Sequence, residues 1–188
     1  MIAVSLILFV FLFFVVIGFV LYAVGLYNGL VAVKNNIVKA FANIDVLLKQ
    51  RSDELPKLIN TVKGYMTHES GTLEKLTEAR TRALNAKTIS EKADADSMMS
   101  GALKSLFAVS ENYPNLKADG TFLQLQSRIS GLENEIADRR EFYNDSVNTY
   151  NIRIASIPDV FVARLMGLQA QEMFKVSEQD RQDVDVKF

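Results

Sequence analysis

From Ile2 to Val24 the chain is apolar at every position except Ser5 and Gly18. As a helix these residues span about 34 Å at ~1.5 Å per residue, enough to cross the ~30 Å hydrocarbon layer of a bilayer. Tyr22 and Tyr27 stand at the end of the stretch, where a ring with an apolar body and a polar tip suits the headgroup region. Beyond it the pattern becomes periodic. Leu30, Val33, Ile37, Phe41, Ile44 and Leu48 recur at three or four, and Leu55, Ile59, Val62, Met66, Leu73 and Leu76 continue the stripe, with Glu69 at its lapse. One long rod is predicted. Pro56 lacks an amide donor, so a bend is expected at 53–56, with Asp53 capping the restarted helix. Gly64 and Gly71 each weaken a helix by about 1 kcal/mol relative to alanine, and close packing is expected to hold the rod through them.

After Ala83 the period fades through Asn85-Ala-Lys-Thr-Ile-Ser. Thr88 followed by Glu91 fits a capping box, so a second helix starts there, with Met99, Leu103, Leu106, Phe107 and Ser110 on one face. Tyr113-Pro114-Asn115 ends it, because proline disfavours helix at the residue before it. Asp119 is placed to cap a third long run whose seam is Leu125, Ile129, Leu132, Ile136, Tyr143, Val147, Tyr150 and Ile154. Arg139 takes the seam position between Ile136 and Tyr143, so an ion pair with Glu69 is expected to explain both lapses. Ile157-Pro158 breaks the run, and Val160–Leu168 is predicted as a short helix with Phe161, Leu165 and Leu168 on one side. Val184-Asp-Val-Lys-Phe188 alternates like a strand but has no other strand to pair with, and disorder is expected there. The fold class expected is all-α, an N-terminal transmembrane helix followed by an antiparallel bundle of long and short helices. Residues 1–25 form the anchor, 26–170 the bundle and 171–188 a flexible tail.

Charge sharpens the division. All 21 basic and 22 acidic side chains follow Val33. No basic n-region precedes the apolar stretch, its length exceeds the ~7–15 residues of a signal-peptide core, and no A-x-A-like site follows, so an uncleaved anchor is expected. The lipid bilayer is thus the expected partner of residues 2–24. Lys34, Lys39, Lys49 and Arg51 follow the segment and no Lys or Arg precedes it, which favours a cytoplasmic bundle at a bacterial cell membrane. The extracytoplasmic side is the alternative. Gly25 and Gly29 stand at the GxxxG spacing through which two anchors approach closely, an option for a homo-oligomer. A net charge of −1 supplies no field for a phosphate backbone, so no nucleic-acid partner is expected, and protein partners are. Without cysteine there is no disulfide, thiolate nucleophile or cysteine metal site.

Candidate chemistry is sparse. His68 is the single histidine, and a zinc-binding HExxH would need a second where Thr72 stands. Asp94-Ala-Asp96 opens like a calcium loop but lacks the glycine and closing glutamate, and reads as a solvated helix face. Neither a phosphate-binding glycine loop nor a G-x-S-x-G elbow occurs. No catalytic residue, cofactor or metal is expected. Tyr65, Tyr113, Tyr143 and Tyr150 with Arg80, Arg139 and Arg140 are types that supply interface energy, though most sit at seam spacing and read as core. The residues expected to form an inter-helix polar cluster or binding groove are Glu69, Arg80, Arg139 and Tyr143.

Several stretches carry a resemblance. Tyr27-Asn-Gly-Leu-Val31 after an apolar leader, Ile44-Asp-Val-Leu-Leu-Lys-Gln-Arg51, and Leu55-Pro-Lys-Leu-Ile-Asn-Thr-Val-Lys-Gly-Tyr65 resemble the LemA family, as do His68-Glu69 and Ala79-Arg80. Tyr113-Pro-Asn-Leu-Lys-Ala118, Phe122-Leu-Gln-Leu-Gln126, Glu133-Asn-Glu-Ile-Ala137, Arg139-Arg-Glu-Phe-Tyr-Asn144 and Tyr150-Asn151 match in the same order. The resemblance spans residues 24–175 and implies a bacterial protein with one N-terminal membrane segment and an antiparallel array of long helices; relatives include magnetosome membrane proteins. It supplies no reaction. Gly25-Leu26 stands where many relatives have a lipid-bearing cysteine, and Met173-Phe174-Lys175 replaces the usual aromatic-Phe-Glu. Two functions remain in view, a membrane-anchored helical scaffold or adaptor and, alternatively, a membrane-tethered ligand- or peptide-binding module. A packed seam favours the first and a polar cavity walled by the four named residues favours the second.

Overall fold

A single helix, α1 (Ile2–Lys63), carries both the apolar segment and the first amphipathic stripe. The computed structural model describes residues 2–66 and 69–175, which leaves His68 and the alternating stretch 184–188 outside the described residues. Five further helices follow: α2 (Ser70–Asn85), α3 (Ile89–Ser110), α4 (Pro114–Lys117), α5 (Gly120–Ala155) and α6 (Asp159–Leu165). No strand occurs among the described residues, and the fold is all-α. Within α1 lies a stretch long and apolar enough to cross a membrane.

The expected rod differs in two places. α1 passes through Pro56 without interruption, and Asp53 caps nothing. The break comes instead after Lys63, where Gly64 and Tyr65 form a turn and the Val62 carbonyl accepts from the amides of Tyr65 and Met66 at 2.9 and 3.0 Å. The glycine's poor helix propensity prevails at this point. The 3–4 period persists across the break because α2 folds back along α1, so that Leu73, Leu76 and Ala79 join the same core as Leu55, Leu58, Val62 and Met66.

Other boundaries follow local chemistry. Thr88 and Glu91 form the reciprocal capping box at the start of α3. Asp119 caps α5, its Oδ1 accepting from the Phe122 amide at 2.9 Å and its Oδ2 from the Tyr65 hydroxyl at 2.9 Å. Pro114 opens α4 at a position where a missing amide is harmless.

The chain forms two compact units. One comprises the residues up to Lys39 with Asp145–Gln171, the other Ala40–Asn144 with the residues that follow Gln171. The second unit holds the main core, in which α1, α2, α3, α4 and α5 all take part, with Phe107 edge-on to Phe122 at 6.3 Å between centroids. In the first unit, the Arg153 guanidinium of α5 packs where a Cβ on Gly29 would sit, so the glycine lets this side chain lie directly against α1. One face of the Gly25-x-x-x-Gly29 motif is therefore used within the chain.

The Asp119 cap has a pH signature. The Phe122 amide, then the Tyr65 hydroxyl, hold the Asp119 carboxyl below its ordinary 3.8. A depressed folded value stabilises the protein fully above the unfolded value of about 3.9, and that stabilisation vanishes as pH falls through the folded value. Asp119→Asn is expected to lower the thermal midpoint at pH 7 and to have a smaller effect near pH 2, as read by circular dichroism.

Candidate functional site

The buried positions of α1 in the second unit include Ile44, Leu47, Arg51, Leu55, Leu58 and Val62, which places an arginine at a seam position. Arg51 is 1% exposed. Its Nη2 meets Asp96 Oδ1 of α3 at 2.6 Å, and its Nη1 bonds the Glu133 carboxylate of α5 and Ser100 Oγ of α3, the latter at 3.3 Å. Ser100 donates onward to Glu133 at 2.6 Å. The other oxygen of Asp96 takes Arg140 Nη1 at 2.8 Å. Arg51, Arg140, Asp96 and Glu133 thus balance in charge and tie α1, α3 and α5 together. Arg51 Nε is buried with no hydrogen-bond partner among the described residues. Asp96, expected on a solvated face, is 1% exposed at the centre of this cluster.

Around it lie looser pairs. Glu54 of α1 joins Arg128 of α5 at 2.9 Å and Lys57 at 3.0 Å. Lys92 of α3 pairs with Asp45 and stands 5.2 Å from the Phe41 ring centroid, and Phe41 in turn packs against Tyr143. A cavity of about 220 Å³ adjoins the cluster, lined in part by Asp45, Lys49, Arg51, Ser52, Lys92 and Asp96. Most of these charged groups are already paired with one another.

Arg80 serves the backbone. Proline at position 56 has no amide to give the Ser52 carbonyl, and Arg80 Nε of α2 supplies the missing donor at 3.0 Å. The helix survives its proline because a side chain from the neighbouring helix satisfies the orphaned acceptor.

A second device fastens the chain beyond α6. In the second unit, the Asn144 amide donates to the Phe174 carbonyl at 3.1 Å and accepts from the Phe174 amide at 2.8 Å, while the Tyr143 hydroxyl donates to the Glu172 carbonyl at 2.9 Å. Phe174 is 1% exposed, with the Arg140 guanidinium 5.1 Å from its ring centroid. In the first unit, Asn151 holds Gln171 in the same two-bond manner at 2.9 Å each, and the Tyr150 hydroxyl reaches the Gln169 carbonyl at 3.1 Å. Burial pushes both phenols above their ordinary 10.0, with the Glu172 charge adding to the effect at Tyr143. The expected flexible tail is therefore corrected for residues 171–175, which α5 holds in place; residues 176–188 lie outside the described residues.

The four residues expected as one cluster have separate partners. Glu69 accepts from the Tyr113 hydroxyl at 3.3 Å, Arg80 binds Ser52, and Tyr143 is a fully buried core residue. Arg139 is about half exposed and pairs with Glu135 on its own helix at 3.6 Å, in place of the expected bond to Glu69. Its neighbour Arg140 turns inward instead. Residues 139 and 140 differ by about 100° around a helix, so a seam drawn one residue off picks the wrong arginine. The sequence pattern does not single out Arg51 and Asp96, because charged residues are rarely fully buried, or Glu133, whose partners come from other helices. The signal available is Arg51 four residues from both Leu47 and Leu55.

Among the described residues no group of His, Cys, Asp and Glu is arranged to hold a metal ion. The polar residues do mechanical work, holding helices and backbone. These features define an all-helical protein with a long apolar N-terminal helix and an ionic lock between three helices of its bundle. A family model described as LemA family matches residues 40–188. Protein LemA of Metamycoplasma hominis is 33% identical over 183 residues, covering 94% of this chain and 82% of that protein. The chain belongs to the LemA family. Magnetosome protein MamQ 2 of Paramagnetospirillum magneticum is 36% identical over 81 residues, 43% of this chain and 30% of that protein. MamQ of Magnetospirillum gryphiswaldense is 32% identical over 80 residues, 43% of this chain and 29% of its own length.

Two stability measurements check the assignments. Asp96→Ala leaves two arginines without their shared carboxylate and is expected to cost about 3–5 kcal/mol in denaturant unfolding, whereas Arg139→Ala is expected to cost under about 1 kcal/mol. Arg80→Ala is expected to cost about 1–3 kcal/mol, because it orphans a buried carbonyl, and distinctly less when Pro56→Ala restores the amide.

Proposed function

We propose that this LemA-family chain is a non-enzymatic, membrane-anchored helical scaffold or adaptor. Residues 2–24 cross the bilayer and the bundle faces the cytoplasm, offering its outer helix faces to protein partners. One observation carries this reading: the interior polar groups bind each other or the chain's own backbone. Arg51, Asp96, Glu133 and Arg140 close on themselves, Arg80 is used on Ser52, and Asn144 and Asn151 on residues 174 and 171. A small-ligand site needs a few polar groups converging on open space. Arg51, Ser52 and Asp96 border the cavity of about 220 Å³, but Arg51 and Asp96 are spent on each other there and the Ser52 carbonyl on Arg80. The anchor is supported by the exposure of large apolar residues all round α1 from Ile2 to Val24, a pattern suited to lipid. Its direction is supported by Lys34 and Lys39.

A second reading, a peptide-binding module, draws on a groove of about 780 Å³ where α2 meets the end of α1. Met66 and Leu73 line it together with Lys63, Glu74 and Glu78.

Carbonate-washed membranes are expected to retain the full chain and to release the Phe11→Lys, Phe14→Lys double variant, since each buried lysine costs about 3 kcal/mol at a span's centre. Proximity labelling from a C-terminal tag is expected to mark cytoplasmic proteins, and the same set when an unrelated span replaces residues 2–24. Labelling confined to extracytoplasmic proteins overturns the orientation. Loss of the labelled set on exchange of the anchor, or a small molecule retained in native mass spectrometry, overturns the scaffold.

A further inference from the structure

α6 leaves an apolar face without cover. In the first unit Ile157, Phe161 and Leu165 are 80%, 60% and 88% exposed, while Ala163 on the same helix is buried. Phe161 and Leu165 lie one turn apart and share a face, and Ile157 stands on the turn that leads into it. Three large side chains this bare within nine residues form a patch of the kind that marks an interaction site.

Arg153 locates the patch. Its guanidinium rests on α1 at Gly29, and its Nη2 and Nε reach Asp159, the first residue of α6, at 3.2 and 3.3 Å. α6 therefore begins beside Gly29. That glycine follows Val24 by five residues, about 7.5 Å along the helix. The headgroup layer on each side of a bilayer's hydrocarbon core is about 5–8 Å thick. The start of α6 is thus level with the headgroups of a bilayer whose hydrocarbon core ends at Val24.

We infer that the Ile157, Phe161 and Leu165 face of α6 dips into the headgroup region of that bilayer as a second, interfacial membrane contact. This rests on the anchor proposed above. A short element with large apolar side chains on one side lies in the plane of the interface in this way, and Arg164, exposed on the same helix, is a cation that anionic headgroups attract. The contact gives the first unit two points of attachment, so the helix pair is held against rotation about the anchor's own axis.

The chain has no tryptophan, so single substitutions report without background. Phe161→Trp, Leu165→Trp, Phe9→Trp and Val38→Trp are each made in the full chain. Each is reconstituted in vesicles of phosphatidylcholine and phosphatidylglycerol carrying doxyl groups either near the headgroup or at the acyl mid-chain. The Phe161→Trp and Leu165→Trp chains are expected to show blue-shifted emission that is lost mainly to the shallow quencher. Phe9→Trp is expected to be quenched by the deep one, and Val38→Trp, on α1 about 21 Å past Val24, by neither. Quenching of Phe9→Trp without quenching at 161 and 165 overturns the α6 contact and leaves the anchor standing. A blue shift at 161 without quenching means the face meets protein, and overturns it equally. An unquenched Phe9→Trp overturns the anchor and the α6 contact together.

Discussion

A guanidinium at a seam position has to be neutralised where it lies, because it cannot give up its proton and the helices around it exclude water. Arg51 imposes that constraint on the bundle. An aspartate and a serine must come from α3 and a glutamate from α5, each at one register, and Asp96 must then share its second oxygen with Arg140. A slide of one residue along either helix would move its acid about 100° away. Leucines would tolerate such a slide far better, since hydrophobic contact is not directional. Replacing a buried ion pair with apolar residues of similar volume often leaves net stability unchanged, so stability alone does not account for the cluster. Its value lies in the specification of which helices meet and at what register, in a fold whose long apolar stripes would otherwise fit several ways.

The same economy governs the backbone. Pro56 removes a donor from the middle of a long helix, and the loss is made good from α2, so that the proline and Arg80 together pin α2 to one position along α1. Asn144 and Asn151 do for an extended segment what a neighbouring strand would do, presenting one acceptor and one donor to a single residue's amide and carbonyl. Because these bonds read backbone alone, the residue types at 171 and 174 are left to other demands. At 174 the demand is burial, met by a phenylalanine under the Arg140 guanidinium. Arg140 therefore serves both the ionic lock and the strap that covers it.

Much of this is legible in the sequence, and what is not has specific physical causes. The apolar leader, the seam from Leu125 to Tyr150, the Thr88–Glu91 box and the Asp119 cap all follow from local rules that tertiary structure had no reason to override. Propensity alone puts the break at Pro56 and not at Gly64, because it does not represent a donor such as Arg80 that replaces the missing hydrogen bond from a neighbouring helix. The sequence pattern favours Arg139 over Arg140 and gives Asp96 to solvent, because a charged residue in a periodic pattern looks like a lapse. Only the partner across the interface turns it into a core position.

The short helix α6 exposes a more general limit. Its spacing suggests that Phe161 and Leu165 lie on a covered side, and in the structure they are among the barest apolar residues outside the N-terminal segment. The helix ends at Leu165, short of Leu168, so the shared face is that of Phe161 and Leu165 alone. Periodicity states that one face of a helix leaves water, but it does not distinguish protein from lipid as the medium that receives it. For residues 2–24 the distinction is carried by length and by apolar character all round. For an element of seven residues neither criterion applies, and the distinction has to come from position. Arg153 on Gly29 supplies that position, a few ångströms past the end of a span that α1 itself defines. The interpretation of α6 therefore depends on α1, and a bare apolar face that would be a defect in water becomes an expected feature beside a membrane.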